Sequence, residues 1–198
     1  MNKNRGATLL EVTVGSLLLI LLMGLNLMIL KTGLSGMNKV EAQSDLLQTL
    51  QVVGSNWVRE VARSSADGAS LENSICALPS PRSDGLQEET QGAYAQLLWR
   101  RYRVYYHQAG QQELWRRDYE LSTPTRDPRP LERMDIGSGF QSLAFYAQQG
   151  RRLCREVQTC TFSRQGNILR LTLQGRRLRY GNSNPEVVTV SFSAQTRN

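Results

Sequence analysis

The sequence predicts an α+β protein in which a long N-terminal helix, apolar in its first half and amphipathic in its second, packs on an antiparallel β-sheet head. Three observations carry this. Between Ala7 and Leu30 there is no Lys, Arg or Asp, and Glu11 is the only formal charge. Between Leu46 and Val61 apolar residues recur at three- and four-residue spacing, as one face of a helix does. From Leu98 onward the pattern shifts to a period of two, as in strands.

Residues 1–6 form a short polar leader carrying Lys3 and Arg5. Residues 7–30 follow as an apolar segment. At about 1.5 Å per residue, the uncharged run Val12 to Leu30 makes a helix of roughly 28 Å, near the ~30 Å hydrocarbon thickness of a bilayer. It is expected to span a membrane once. The basic leader favours an N-in, C-out orientation, so the remainder faces outward. Residues 31–65 continue as an amphipathic helix with Leu46, Leu50, Val53, Trp57 and Val61 on one face, while Asp45, Gln48, Asn56, Arg59 and Glu60 fall mostly elsewhere on the wheel. That face is expected to lie on a domain, with Trp57 in its core. Ser64 to Gly68 supplies turn chemistry and ends the helix.

Residues 66–198 make the β-rich head. Pro79, Pro81, Asp84 and Gly85 mark a loop-rich stretch before the first clear strand, Leu98 to Tyr106. Gln108 to Gln111 forms a turn, and Glu113 to Tyr119 returns as the second strand of a hairpin. The run Thr123 to Pro130 holds three prolines and is expected to be a connection, because proline cannot sit mid-sheet. Strands are predicted again at Phe140 to Ala147, at Ile168 to Leu173, where Leu169, Leu171 and Leu173 share a face, and across Val188, Val190 and Phe192.

Net charge is +7, from 24 Lys and Arg against 17 Asp and Glu, and much of the excess is arginine in the second half. Charge alone is a weak argument for a nucleic-acid or anionic-lipid partner. The pairs Arg100-Arg101, Arg116-Arg117, Arg151-Arg152 and Arg176-Arg177 alternate with Tyr102, Tyr105, Trp115 and Tyr180. Arg100, Arg101, Arg116, Arg117, Arg176 and Arg177 are the candidates for gripping phosphates while the aromatics stack on bases. The plainer reading favours strand faces solvated by arginine, which also shields sheet edges from pairing.

Three cysteines are present, Cys76, Cys154 and Cys160. An exported head would meet an oxidising compartment. Cys154 with Cys160 closes the shortest loop and leaves Cys76 over, but all three pairings, and three free thiols, stay open.

His107 is the only histidine, so no triad or multi-histidine metal site can form within the chain. No Walker loop, dinucleotide fingerprint or Cys-x-x-Cys occurs. Glu88-Glu89 and Glu132 to Asp135 lack the oxygen-ligand spacing of a calcium loop. No enzyme activity, cofactor or metal is expected.

The segment Gly6-Ala7-Thr8-Leu9-Leu10-Glu11-Val12 resembles the processing motif of type IV prepilins and type II secretion pseudopilins. An ordinary secretory signal places its small-residue cleavage site after the apolar core, whereas here the glycine precedes it. The resemblance implies that a membrane prepilin peptidase cuts between Gly6 and Ala7 and N-methylates Ala7, and that Glu11, fifth in the mature chain, guides assembly. It further implies partners among other minor pilins, a major pilin and an inner-membrane assembly platform, with the head in the periplasm and the subunit built into a filament. Two features depart from the family: Ala7 replaces the usual aromatic first residue, and no proline bends the helix near Met28. The stretch Val58 to Arg63, then Tyr102 to Tyr106 with Leu114 to Arg117 on the return strand, is similar in pattern to the minor pilins and pseudopilins of the J and W types. Two alternatives remain from the sequence: a pseudopilin contacting exported substrates, and a membrane-anchored DNA receptor of competence.

Overall fold

The computed structural model describes residues 9–81, 90–91, 96–133, 141–177 and 185–197. Helix α1 runs from Leu9 to Val61, 53 residues. The chain divides into two compact units, Met1–Ala42 and Gln43–Asn198. In the first, every described side chain from Leu9 to Glu41 is exposed.

In the second unit α1 buries the predicted stripe. Leu50, Trp57 and Val61 are wholly inaccessible, and Leu46 and Val53 nearly so. The helix closes at Val61 as Arg63 N bonds Glu60 O at 3.1 Å and Ser64 N bonds Val61 O at 3.0 Å, the tighter pattern of a last turn. Glu60 departs from its expected solvent position: its side chain is only 14% exposed and pairs with Arg103.

The head contains β1 (Ser70–Glu72), β2 (Ile75–Ser80), β3 (Thr90–Gln91), β4 (Gln96–Leu97), β5 (Trp99–Gln108), β6 (Glu113–Thr125), a 3-10 turn (Leu131–Arg133), α2 (Leu143–Tyr146), β7 (Arg151–Cys154), β8 (Val157–Gln165), β9 (Ile168–Arg177) and β10 (Glu186–Gln195). One sheet has the order β1-β2-β5-β6-β7, a second the order β10-β9-β8, and β3 pairs with β4. Among the described residues all the ladders are antiparallel.

Two cores result. The first joins the α1 stripe to Leu169, Leu171 and Leu173 of β9, to Val157, Cys160 and Phe162 of β8, and to Cys76, Leu78, Tyr105, Leu114 and Cys154 of the five-stranded sheet. The second lies behind that sheet, where Ala77, Tyr102, Val104 and Tyr106 meet Leu131, Leu143 and Tyr146. Strand β5 is therefore buried on both faces, which is why its sequence does not separate a wet face from a dry one.

Three expectations are corrected. Where a loop-rich stretch is expected from Pro79, the chain is still in β2 (Ile75–Ser80), and Asp84 and Gly85 lie outside the described residues. Proline is tolerated there because β1 pairs only with Ile75 to Ala77, so one edge of β2 is free of ladder bonds at Pro79. Pro124 lies inside β6, where the register jumps from Arg101↔Glu120 to Trp99↔Thr125; the extra residues bulge and ask no ladder bond of the proline. The predicted strand Phe140 to Ala147 is instead the single turn α2, with Leu143 and Tyr146 buried at i, i+3 and Phe145 43% exposed. Phe140 itself lies outside the described residues.

Candidate functional site

The apolar half of α1 is long and apolar enough to cross a membrane by length and composition, a test that a signal sequence also meets. Its polar side chains turn back on their own helix. Thr13 Oγ1 donates to Leu10 O at 2.9 Å, Ser16 Oγ to Val12 O at 2.7 Å, Asn26 Nδ2 to Leu22 O at 3.0 Å and Thr32 Oγ1 to Met28 O at 2.8 Å. Such back-bonding meets the demand of hydrocarbon surroundings, where a polar group has no water to turn to. Outside lie Leu17 to Leu22, Leu25, Leu27 and Ile29, each more than half exposed. Contiguous apolar surface of this extent marks contact with membrane or protein. A shallow depression lined by Met28, Ile29, Thr32, Gly33 and Gly36 interrupts it.

Glu11 is exposed in the first described turn of this helix. Gly6 and Ala7, the expected cleavage and methylation positions, lie outside the described residues.

The six arginines singled out for nucleic acid do not share one face. Arg101 is buried and pairs with Asp118 at 3.7 Å. Arg103, which sequence reasoning did not single out, sits between Glu60 of α1 and Asp118, 3.8 Å from the latter. Arg116 reaches Asp118 at 3.2 Å, so three guanidinium groups gather on one carboxylate. Arg117 lies 5.4 Å from the Tyr119 ring centre. Arg177, in the other sheet, contacts Asp45 at 3.6 Å and Glu156 at 3.1 Å, and Arg176 is half-buried beside it. Arg100 is exposed on β5. The missed signal was Glu60: a charge beside Trp57 on a docking helix implies a buried counter-charge on the sheet.

His107 acts as a tie, its Nε2 donating to Val157 O at 2.8 Å. Glu132 accepts from Ser70 Oγ at 2.6 Å, while Glu88, Glu89 and Asp135 lie outside the described residues. Among the described residues no group of three His, Cys, Asp or Glu side chains could hold a metal. Cys76, Cys154 and Cys160 are buried free thiols. Burial pushes the Cys76 thiol up to about 12, with Trp57 opposing, and the Cys154 thiol up to about 11; Cys160 is raised further, by burial first and then by its thiol neighbours.

No protein-family model, curated protein or solved structure matches the chain. What stands is a pilin-like architecture: a long N-terminal helix, apolar in its first part, whose C-terminal part packs on antiparallel sheets.

Proposed function

We propose that the chain is a minor pilin or pseudopilin, held in the inner membrane by α1, with its head in the periplasm, and built into a filament by helix packing. The observation that carries this reading is the wholly exposed apolar part of α1, residues 9–30, whose single formal charge, Glu11, stands near its start. A carboxylate at the centre of a membrane helix costs about 2.5–3.5 kcal/mol on insertion scales, and placement near the N-terminus lowers that through the helix dipole. A positive amine from a neighbouring subunit lowers it further and at the same time sets the axial position of one helix against the next. Cleavage after Gly6 by a prepilin peptidase supplies such an amine, methylated, on Ala7. The back-bonded polar side chains support packing in hydrocarbon, and the depression around Gly33 and Gly36 offers close approach for a neighbouring helix. The work asked of the protein is assembly, not catalysis.

Glu11→Ala tests the role of the carboxylate. The variant should reach the membrane at the wild-type level yet fail to appear in sheared filaments or in crosslinked complexes with other subunits. Wild-type incorporation would refute the assembly role.

A further inference from the structure

The three buried cysteines belong to one core but not to one sheet. Cys76 is on β2 and Cys154 on β7, the second and fifth strands of the order β1-β2-β5-β6-β7. Three strand spacings of about 4.8 Å separate them by roughly 14 Å. They also sit at different heights, since Cys76 lies in the row of Tyr105 and Arg116 while Cys154 lies opposite Leu114. A disulfide needs Cα atoms within about 7 Å, so a bridge between Cys76 and Cys154 is excluded while this sheet exists.

Cys160 belongs to the other sheet, on β8. That strand is sewn to the turns of the five-stranded sheet at two points. Val157 N donates to Gln112 O at 2.9 Å, and Phe162 N donates to Asn73 O at 2.8 Å. Strand β8 thus passes from the β5–β6 turn to the β1–β2 turn, and Cys160 is closer in sequence to the second of these points. Cys160 and Phe162 both face inward. The Phe162 ring centre is 6.3 Å from that of Trp57, and Trp57 also borders Cys76, three residues after Asn73. Cys76 and Cys154 are both electrostatic neighbours of the Cys160 thiol.

We propose that Cys160 and Cys76 form a disulfide that staples β8 to β2 across the two sheets, leaving Cys154 as a buried thiol. This rests on the export of the head proposed above. Sγ of Cys76 and Sγ of Cys160 join as the two thiols give up two protons and two electrons. A disulfide oxidant of the exchange type, protein-borne or glutathione-like, accepts them and becomes a dithiol. Thiolate is the attacking species and burial suppresses it in the closed head, so the bridge forms as the chain folds rather than afterwards.

Tryptic digestion separates the three sites into peptides Ser64–Arg82, Leu153–Arg155 and Glu156–Arg164. The full chain, extracted from membranes in detergent, is denatured in an alkylating reagent and mapped by mass spectrometry. A second sample of the reduced full chain is refolded from denaturant in detergent with a glutathione redox buffer. The expected product in both is Ser64–Arg82 joined to Glu156–Arg164, in at least tenfold excess over any other pairing. It should be retained by Cys154→Ser and lost from Cys160→Ser. That pairing on refolding, with three thiols in the cellular sample, would uphold the geometry and count against export. Leu153–Arg155 as the joined partner, or three alkylated thiols in both samples, would overturn the proposal.

Discussion

Gly54 lies on the buried face of α1, where an added Cβ would overlap the ring of Phe192 on β10. The substitution Gly54→Ala pits two effects against each other. Alanine favours the helix by about 1 kcal/mol over glycine. Forcing a methyl into a filled space costs typically 1–3 kcal/mol, and here the obstacle is an aromatic ring that is itself packed on the core. The net expectation is a loss of about 0–2 kcal/mol in the wild-type background. With Phe192→Ala already in place the obstacle is gone, and the same change should stabilise by about 1 kcal/mol, the helix term alone. The sign therefore reverses between backgrounds, with a coupling of about 1–3 kcal/mol. Guanidinium unfolding of the full chain in detergent, followed by tryptophan fluorescence, reads this out, since Trp57 lies one turn away on the same helix. If Gly54→Ala stabilises equally in both backgrounds, α1 does not dock against β10 as described.

Glu60→Gln removes the helix partner of Arg103 but leaves Asp118, so the loss should be about 1–3 kcal/mol, below the full cost of orphaning a buried charge. Adding Arg103→Met to Glu60→Met should recover most of it in the same unfolding assay; no recovery would mean that the pair does more than neutralise itself. Gly175→Ala on β9 meets Leu46 Cδ1 at 2.8 Å and Leu50 Cδ1 at 3.0 Å, both flexible ends, and should cost less than Gly54→Ala once the helix term is set aside. Alkaline pH tests the thiols. Their pKa values are raised in the folded state, so the stability they contribute is whole below about pH 9 and falls as pH rises through about 11 for Cys154 and about 12 for Cys76. Under reducing conditions the unfolding free energy should drop steeply between pH 9 and 11, by up to about 1.4 kcal/mol per pH unit for each thiol, and far less once Cys76 and Cys160 are bridged.

Much of the fold was legible because it is written in periodicity. The stripe Leu46 to Val61 and the alternation Leu169, Leu171, Leu173 each follow from a helix or strand with one buried face, and all are in the first core. What was not legible depended on partners distant in sequence. Pro79 reads as a loop until β1 is known to stop short of it, and Pro124 reads as a stop until the bulge opposite Trp99 is seen. Leu143 to Tyr146 is too short for one period to beat another. At the candidate site, the exposed apolar run with Glu11 near its start was legible from local order alone, while Gly6 and Ala7 lie outside the described residues. The Glu60, Arg103 and Asp118 cluster was not, because its three members come from α1, β5 and β6. Loop length alone favours Cys154 as the partner of Cys160, whereas the course of β8 favours Cys76. That bridge closes a loop of about 85 residues, worth roughly 4–5 kcal/mol in the chain-entropy account, against roughly 2 for the short one.

The central claim is that this helix is a processed assembly device and not a plain anchor. Intact-mass and N-terminal peptide measurement of the chain extracted from membranes tests it most directly. The predicted result is a chain lacking residues 1–6, starting at Ala7 and carrying one methyl group on its amine. A chain that retains Met1, or that begins anywhere upstream of Ala7, would contradict it.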